Sequence, residues 1–163
     1  MPVNPYQDQL GKADPLGEIT AAPQRIRDLI ERLGSKGFEQ SRGPGKWNAR
    51  QIICHLADVE IAFAFRIRQA LAEDRHVIQP FDESTWAKPY ASLDAQSAAD
   101  SYIALRRWNL ALLETLPVSA FSKPLNHPER GDMVFRDLIA TMAGHDLNHL
   151  QQLEAIADPK TRS

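Results

Sequence analysis

Four stretches of this chain carry apolar residues at helical spacing, and two of the connections between them are too long for tight turns. That pattern restricts the chain to packed helices, because an amphipathic helix must bury its stripe against another element. The first stretch holds Ile26, Leu29, Ile30 and Leu33, with Thr20 as the expected N-cap, Pro23 in the first turn, and Gly34 and Gly37 as the stop. The second begins at Asn48, with Gln51 placed as a capping-box partner. It keeps its period through Ile52, Leu56, Val59, Phe63 and Leu71 and should end near Glu73. The third runs from Asp94 to Leu116, ahead of Pro117, and the fourth spans Val134 to Ile156 and ends near Asp158 and Pro159.

Residues 74–93 show no period but contain Pro80, Phe81, Trp86, Pro89 and Tyr90. Fully extended, that connection reaches ~66 Å, against ~37 Å for the helix before it. It can cross the whole bundle and let the third helix run parallel to the second. Residues 117–132 form another long polar connection, in which His127-Pro128-Glu129-Arg130-Gly131 reads as a tight turn. The expected fold is all-α, a four-helix bundle with a crossover rather than simple up-and-down order. One domain should cover residues 1–163, with 1–17 an irregular arm tacked down by Tyr6, Leu10 and Leu16.

Composition narrows the functional classes. A net charge of −2, without a dense basic cluster, argues against nucleic acid as the main partner. The first residues are rich in proline and charge and have no apolar run of signal-peptide type, and no stretch approaches the ~20 apolar residues of a membrane span. A lone cysteine, Cys54, excludes an internal disulfide and fits a reducing cytoplasm. A cytoplasmic protein is expected.

The fourth stretch contains Gly144-His145-Asp146-Leu147-Asn148-His149. Histidines four residues apart share one face of a helix, about 6 Å apart along the axis, a spacing at which two imidazoles can grip one transition metal. Here that face reads Leu138, Met142, His145, His149, Gln152, Ile156, so both rings point inward. Alone, such a pair is equally a pair of hydrogen-bonded core histidines. His55, one turn after Ile52 and one before Val59, is a third inward histidine. If the two helices are antiparallel, His55 lies ~9 Å from the start of its helix and the pair ~15 Å from the end of theirs. Those levels agree within about one turn, and a parallel pairing also passes.

Three imidazoles give the three-protein-ligand arrangement of catalytic metal sites and suit zinc, nickel, copper or iron(II). Positions left open could hold water or a thiol. Asp146 makes the motif HDxxH, one methylene short of the HExxH zincin base, so a metalloprotease is not expected. Asp58 is a candidate acceptor behind His55, although a solvated carboxylate is the plainer reading. Cys54 points ~100° away from His55 around the helix and should be core. His76 and His127 lie in connections and should be exposed, and Trp47 should close one end of the core. The third helix is apolar nearly all round (Tyr102, Ile103, Leu105, Trp108, Leu110, Leu112, Leu113, Leu116), which calls for a second partner and suggests a homodimer. Arg106 on that helix is read first as snorkelling, then as paired, then as binding an anion.

Taken together, Lys46-Trp47-Asn48, His55-Leu56-Ala57-Asp58-Val59-Glu60 and Arg66-Ile67-Arg68, followed by the His127–Gly131 turn and Gly144–His149, resemble the DinB-like superfamily. The resemblance covers about Gly17 to Ala157. It implies an up-down-down-up four-helix bundle, often a homodimer, with the metal triad mapping onto His55, His145 and His149. Relatives of this kind include thiol S-transferases that use bacillithiol or similar thiols, and a mycothiol-dependent isomerase. The expectation is therefore a metal-dependent, thiol S-transferase-like enzyme acting on a small-molecule thiol and an electrophile, with a divalent ion such as zinc or nickel. In that reading arginines such as Arg106 could engage the thiol's carboxylates. Metal-assisted hydrolysis is the runner-up, weakened by the lack of an obvious acidic base beside the ligands. A non-catalytic metal-binding or stress-response bundle is the third reading. No catalytic acid or base is assigned.

Overall fold

A computed structural model describes residues 2–158; Met1 and 159–163, including the Pro159 expected just past the last helix, lie outside the described residues. The helices are α1 (Gln7–Leu10), α2 (Pro15–Gly37), α3 (Ala49–Ala72), α4 (Glu83–Trp86), α5 (Ala95–Glu114) and α6 (Phe135–Ala157), with short strands β1 (His76–Val77), β2 (Pro124–His127) and β3 (Gly131–Val134). The long helices start where side chains can satisfy free amides. Asn48 and Gln51 form a reciprocal capping box on α3, and Asp94 accepts the Ser97 amide at 2.7 Å on α5. On α6 the Asp137 carboxylate reaches back to the Val134 amide at 2.9 Å.

The first long helix starts earlier than expected. Asp14, not Thr20, is its N-cap, accepting the Gly17 amide at 2.9 Å, and Pro15 occupies the first turn. Thr20 instead lies within the helix, its hydroxyl donating to the Leu16 carbonyl. The stretch expected to be an irregular arm is thus helical at Gln7–Leu10 and again from Pro15. Leu10 is buried in the core, whereas Leu16 is exposed. Gly34, at φ 59° and ψ 178°, breaks the helix as anticipated and leaves one offset turn before Gly37.

Contacts define the topology. α2 and α6 run the same way, since Asn4 bonds the Ala140 carbonyl and Arg25 bonds Glu154 farther along both segments. α3 and α5 also run together, with Glu60 on Arg106 and Arg68 on Asn109. α3 opposes α6, because His55 meets His149 while Phe63 meets the earlier His145. This is the up-down-down-up bundle. Two apolar clusters fill it, one around Phe63, Ile67, Leu138 and Met142, the other around Ile52, Leu56, Tyr102 and Leu153. Where they meet along α3 and α6 sits a layer of buried polar residues.

The connections are more ordered than their lack of period suggests. β1 pairs parallel with β2 (His76 opposite Leu125), and β2 pairs antiparallel with β3 (His127 opposite Gly131). The β2–β3 hairpin turns through the predicted Pro128–Arg130 corner, and Gly131 takes the positive φ of 81°. Both His76 and His127 are buried, contrary to expectation, because this small sheet draws the two connections onto the bundle. No described helix is long and apolar enough to cross a membrane.

Candidate metal centre

α3 contributes His55 and α6 contributes His145 and His149, with exposures of 2%, 3% and 7%. One ring nitrogen from each lies within 4.8 Å of the others. His55 Nε2 and His145 Nε2 are 3.0 Å apart, and the ring centroids are separated by 4.6 to 5.0 Å. At metal–nitrogen bonds of ~2.1 Å, two ligands of one ion can be no more than ~4.2 Å apart, so a small side-chain rotation closes the set. Burial and the neighbouring imidazoles hold the His55 ring down to about 3 and the His149 ring down to about 2, leaving both neutral, the form that binds metals. His55 Nδ1 and His145 Nδ1 are buried and have no hydrogen-bond partner. The converging donors are instead the Nε2 atoms of His55 and His145, and the nitrogen of His149 left free is also Nε2, since its Nδ1 faces Gln152. The donor set fits a divalent transition ion.

The surroundings come from all parts of the chain. Trp47 lies 5.0 Å from the His55 ring and stacks at 20° over His149, so it covers the cluster as well as the end of the core. Tyr6 meets His145 edge-on at 5.3 Å. That approach requires Gly144, since a Cβ there would sit 2.6 Å from the Tyr6 Cβ and 2.8 Å from its carbonyl oxygen. Cys54 is buried in the core, its thiol pushed up to about 11 chiefly by burial.

The two aspartates do not support the histidines. Asp58 accepts the Tyr90 hydroxyl at 2.8 Å instead of holding His55. Asp146 turns to Arg106 at 2.5 Å and to the Tyr102 hydroxyl at 3.1 Å, leaving its other oxygen 4.0 Å from His145 Nδ1, too far for a hydrogen bond. Asp146 is held down to about 2, burial being outweighed by Arg106 and the His145 side.

Arg106 neither snorkels nor reaches a ligand: its exposure is 0%. It clamps both Glu60 oxygens at 3.0 and 2.7 Å and bonds Asp146. It also donates to the Ile19 carbonyl at 3.2 Å, the acceptor that Pro23, lacking an N–H, leaves without a helical donor. Asn109 adds a bond to Glu60 at 2.8 Å. Burial nonetheless pushes the Glu60 carboxyl upward against the pull of Arg106. This network, one residue from His145, ties all four long helices together. The sequence marks Arg106 but gives little sign that Glu60 and Asp146 face it.

A cavity of about 200 Å³ reaches His145 and is lined by Tyr6, Phe63, Arg66, Phe81, Glu83, His127, Glu129 and Arg130, among others. Most of these come from the connections, where helical periodicity offers no guide. The cavity thus adjoins the buried cluster at His145, while His55 and His149 do not line it.

A crossover bundle with a buried three-histidine cluster beside a cavity is the class of protein that fold and site define. The DinB superfamily profile matches residues 18–153, and the chain belongs to that superfamily. A protein of Oceanobacillus iheyensis, described as a candidate metal-dependent hydrolase, is 28% identical over 89% of this chain and 85% of its own length. A similarly described Halalkalibacterium halodurans protein is 28% identical over 84% of this chain and 81% of its own. Among solved structures, YfiT from Bacillus subtilis, described as having an unusual four-helix bundle topology, superposes with a TM-score of 0.79 at 21% identity, covering 87% of this chain and 83% of that one. A mycothiol-dependent maleylpyruvate isomerase superposes at 0.69 and 12% identity, with 91% of this chain matching 60% of that protein.

Proposed function

We propose that this protein is a metal-dependent enzyme that activates a small thiol for transfer to an electrophile, with His55, His145 and His149 as the ligands of one zinc or nickel ion. The observation carrying this reading is the joint geometry of the cluster and the cavity: three protein nitrogens within 4.8 Å, beside a space that ends on His145. A fourth position opening onto that space would mark a catalytic rather than a purely structural site. When bound, the ion supplies positive charge that favours a thiolate near neutral pH. The chain's own contribution is positional. Burial keeps His55 and His149 neutral, Trp47 and Tyr6 exclude water from two sides, and Phe63 and Phe81 shape an apolar wall for the electrophile.

Metal-assisted hydrolysis is a second reading, favoured by the description of the relatives and by Glu83, His127 and Glu129 along the cavity. In this reading one of these cavity residues would act as the base that the sequence does not place beside the ligands. Purified, metal-loaded protein assayed in parallel for thiol consumption with an electrophile and for ester cleavage without thiol separates the two. Thiol-dependent turnover lost in His145→Ala supports the transferase; thiol-independent ester cleavage lost in the same variant supports the hydrolase.

A further inference from the structure

We propose that Arg66 and Arg130 form a carboxylate-binding subsite in the cavity that reaches His145, so that the small substrate is an organic acid. The proposal rests on the cavity being the substrate pocket, but not on which reaction occurs at the histidines.

Arg66 is half-buried, and its guanidinium stacks 5.4 Å from the Phe81 ring and 5.9 Å from the Phe63 ring. Phe63 in turn stands 6.4 Å from the His145 ring, so the guanidinium and the histidine neighbour the same phenyl ring in the same cavity. Arg66 makes one hydrogen bond, to the Gln79 carbonyl at 2.9 Å, and no ion pair among the described residues. Arg25, Arg50 and Arg106, also wholly or partly buried, each find a carboxylate, and Arg68, partly buried without one, bonds two amide oxygens. An arginine stacked on aromatic faces keeps its donor edge free for a bidentate anion.

Arg130, from the β2–β3 turn, lines the same cavity and likewise forms no ion pair among the described residues. The two cations repel: burial and Arg130 both lower the Arg66 pKa, and Glu83 offsets them only weakly. His127 adds a neutral donor. Its Nδ1 accepts the Glu129 amide at 3.2 Å, which leaves the ring proton on Nε2. Glu83 and Glu129 also line the cavity, but both are exposed and neither comes within ion-pair distance of the arginines. Two guanidiniums without an ion pair in so small a space offer N–H donors that a ligand carboxylate would take up. A volume of about 200 Å³ suits a small metabolite rather than a peptide.

The test is an NMR titration with succinate, which carries no thiol, on metal-free protein. Binding should be measurable for the wild type and weaken about tenfold or more in Arg66→Gln and, separately, in Arg130→Gln, the loss of one charge-assisted contact. Arg136→Gln, an exposed charge outside the cavity, should bind as the wild type does. On metal-loaded protein, mercaptosuccinate should then bind at least about tenfold tighter than 2-mercaptoethanol, and Arg66→Gln should collapse that ratio. Succinate affinity indifferent to both arginines overturns the proposal, as does inorganic phosphate binding in preference to succinate. Arginine-dependent succinate binding without thiol consumption would uphold the subsite and sink the thiol reading alone.

Discussion

His55 and His149 sit folded at about 3 and about 2, whereas in the unfolded chain a histidine titrates near ~6.5. Between those values the unfolded state holds more protons than the folded one, so lowering the pH favours unfolding. The metal-free protein should therefore keep its full stability above pH ~6.5 and lose it progressively on acidification. Thermal melts from about pH 8 to about pH 5 read this directly, and His149→Ala should flatten the slope. A melting temperature that does not fall on acidification would contradict the burial argument. Cys54, buried and with its thiol raised to about 11, should resist thiol reagents in the native state and react once unfolded. At this scale the sequence was informative where geometry is local: an i, i+4 pair and one inward histidine converge because helices convert spacing into direction. It was silent where residues meet across the bundle, as Glu60 and Asp146 do on Arg106.

Among the elements, the caps of α3 and α5 were legible because Asn48, Gln51 and Asp94 act within one turn. The start of α2 was not, since Pro15 and Gly17 look like breakers until Asp14 is recognised as the cap. The sheet was invisible: β1 is only two residues long and pairs with a strand from the other connection. The buried Arg106 network, touching all four long helices, should dominate their relative placement. Arg106→Met would leave Glu60 and Asp146 buried without their cation, at a cost of about 3–5 kcal/mol in urea unfolding. Replacing Glu60 by Met in the same chain should recover part of that loss. A change below about 1 kcal/mol in the single variant would show the network to be dispensable.

On the scale of the whole molecule, the crossover puts α3 and α5 side by side and sets His55 opposite the α6 pair. Of the apolar residues on the third helix, Leu110, Leu112 and Leu116 pack against the chain's own core, and Trp108, 67% exposed, is where we propose that a self-complementary interface would form. Light scattering at micromolar concentration should give twice the chain mass of 18.3 kDa, and Trp108→Ser should shift it toward one chain. A wild-type protein of single-chain mass would remove that expectation. The central claim is that His55, His145 and His149 together hold one divalent ion, and elemental analysis of purified protein after loading and desalting tests it most directly. The account predicts about one zinc or nickel per chain, lost in His55→Ala, His145→Ala and His149→Ala alike while helical circular dichroism persists. Wild-type protein that retains no ion, or variants that retain it undiminished, would contradict it.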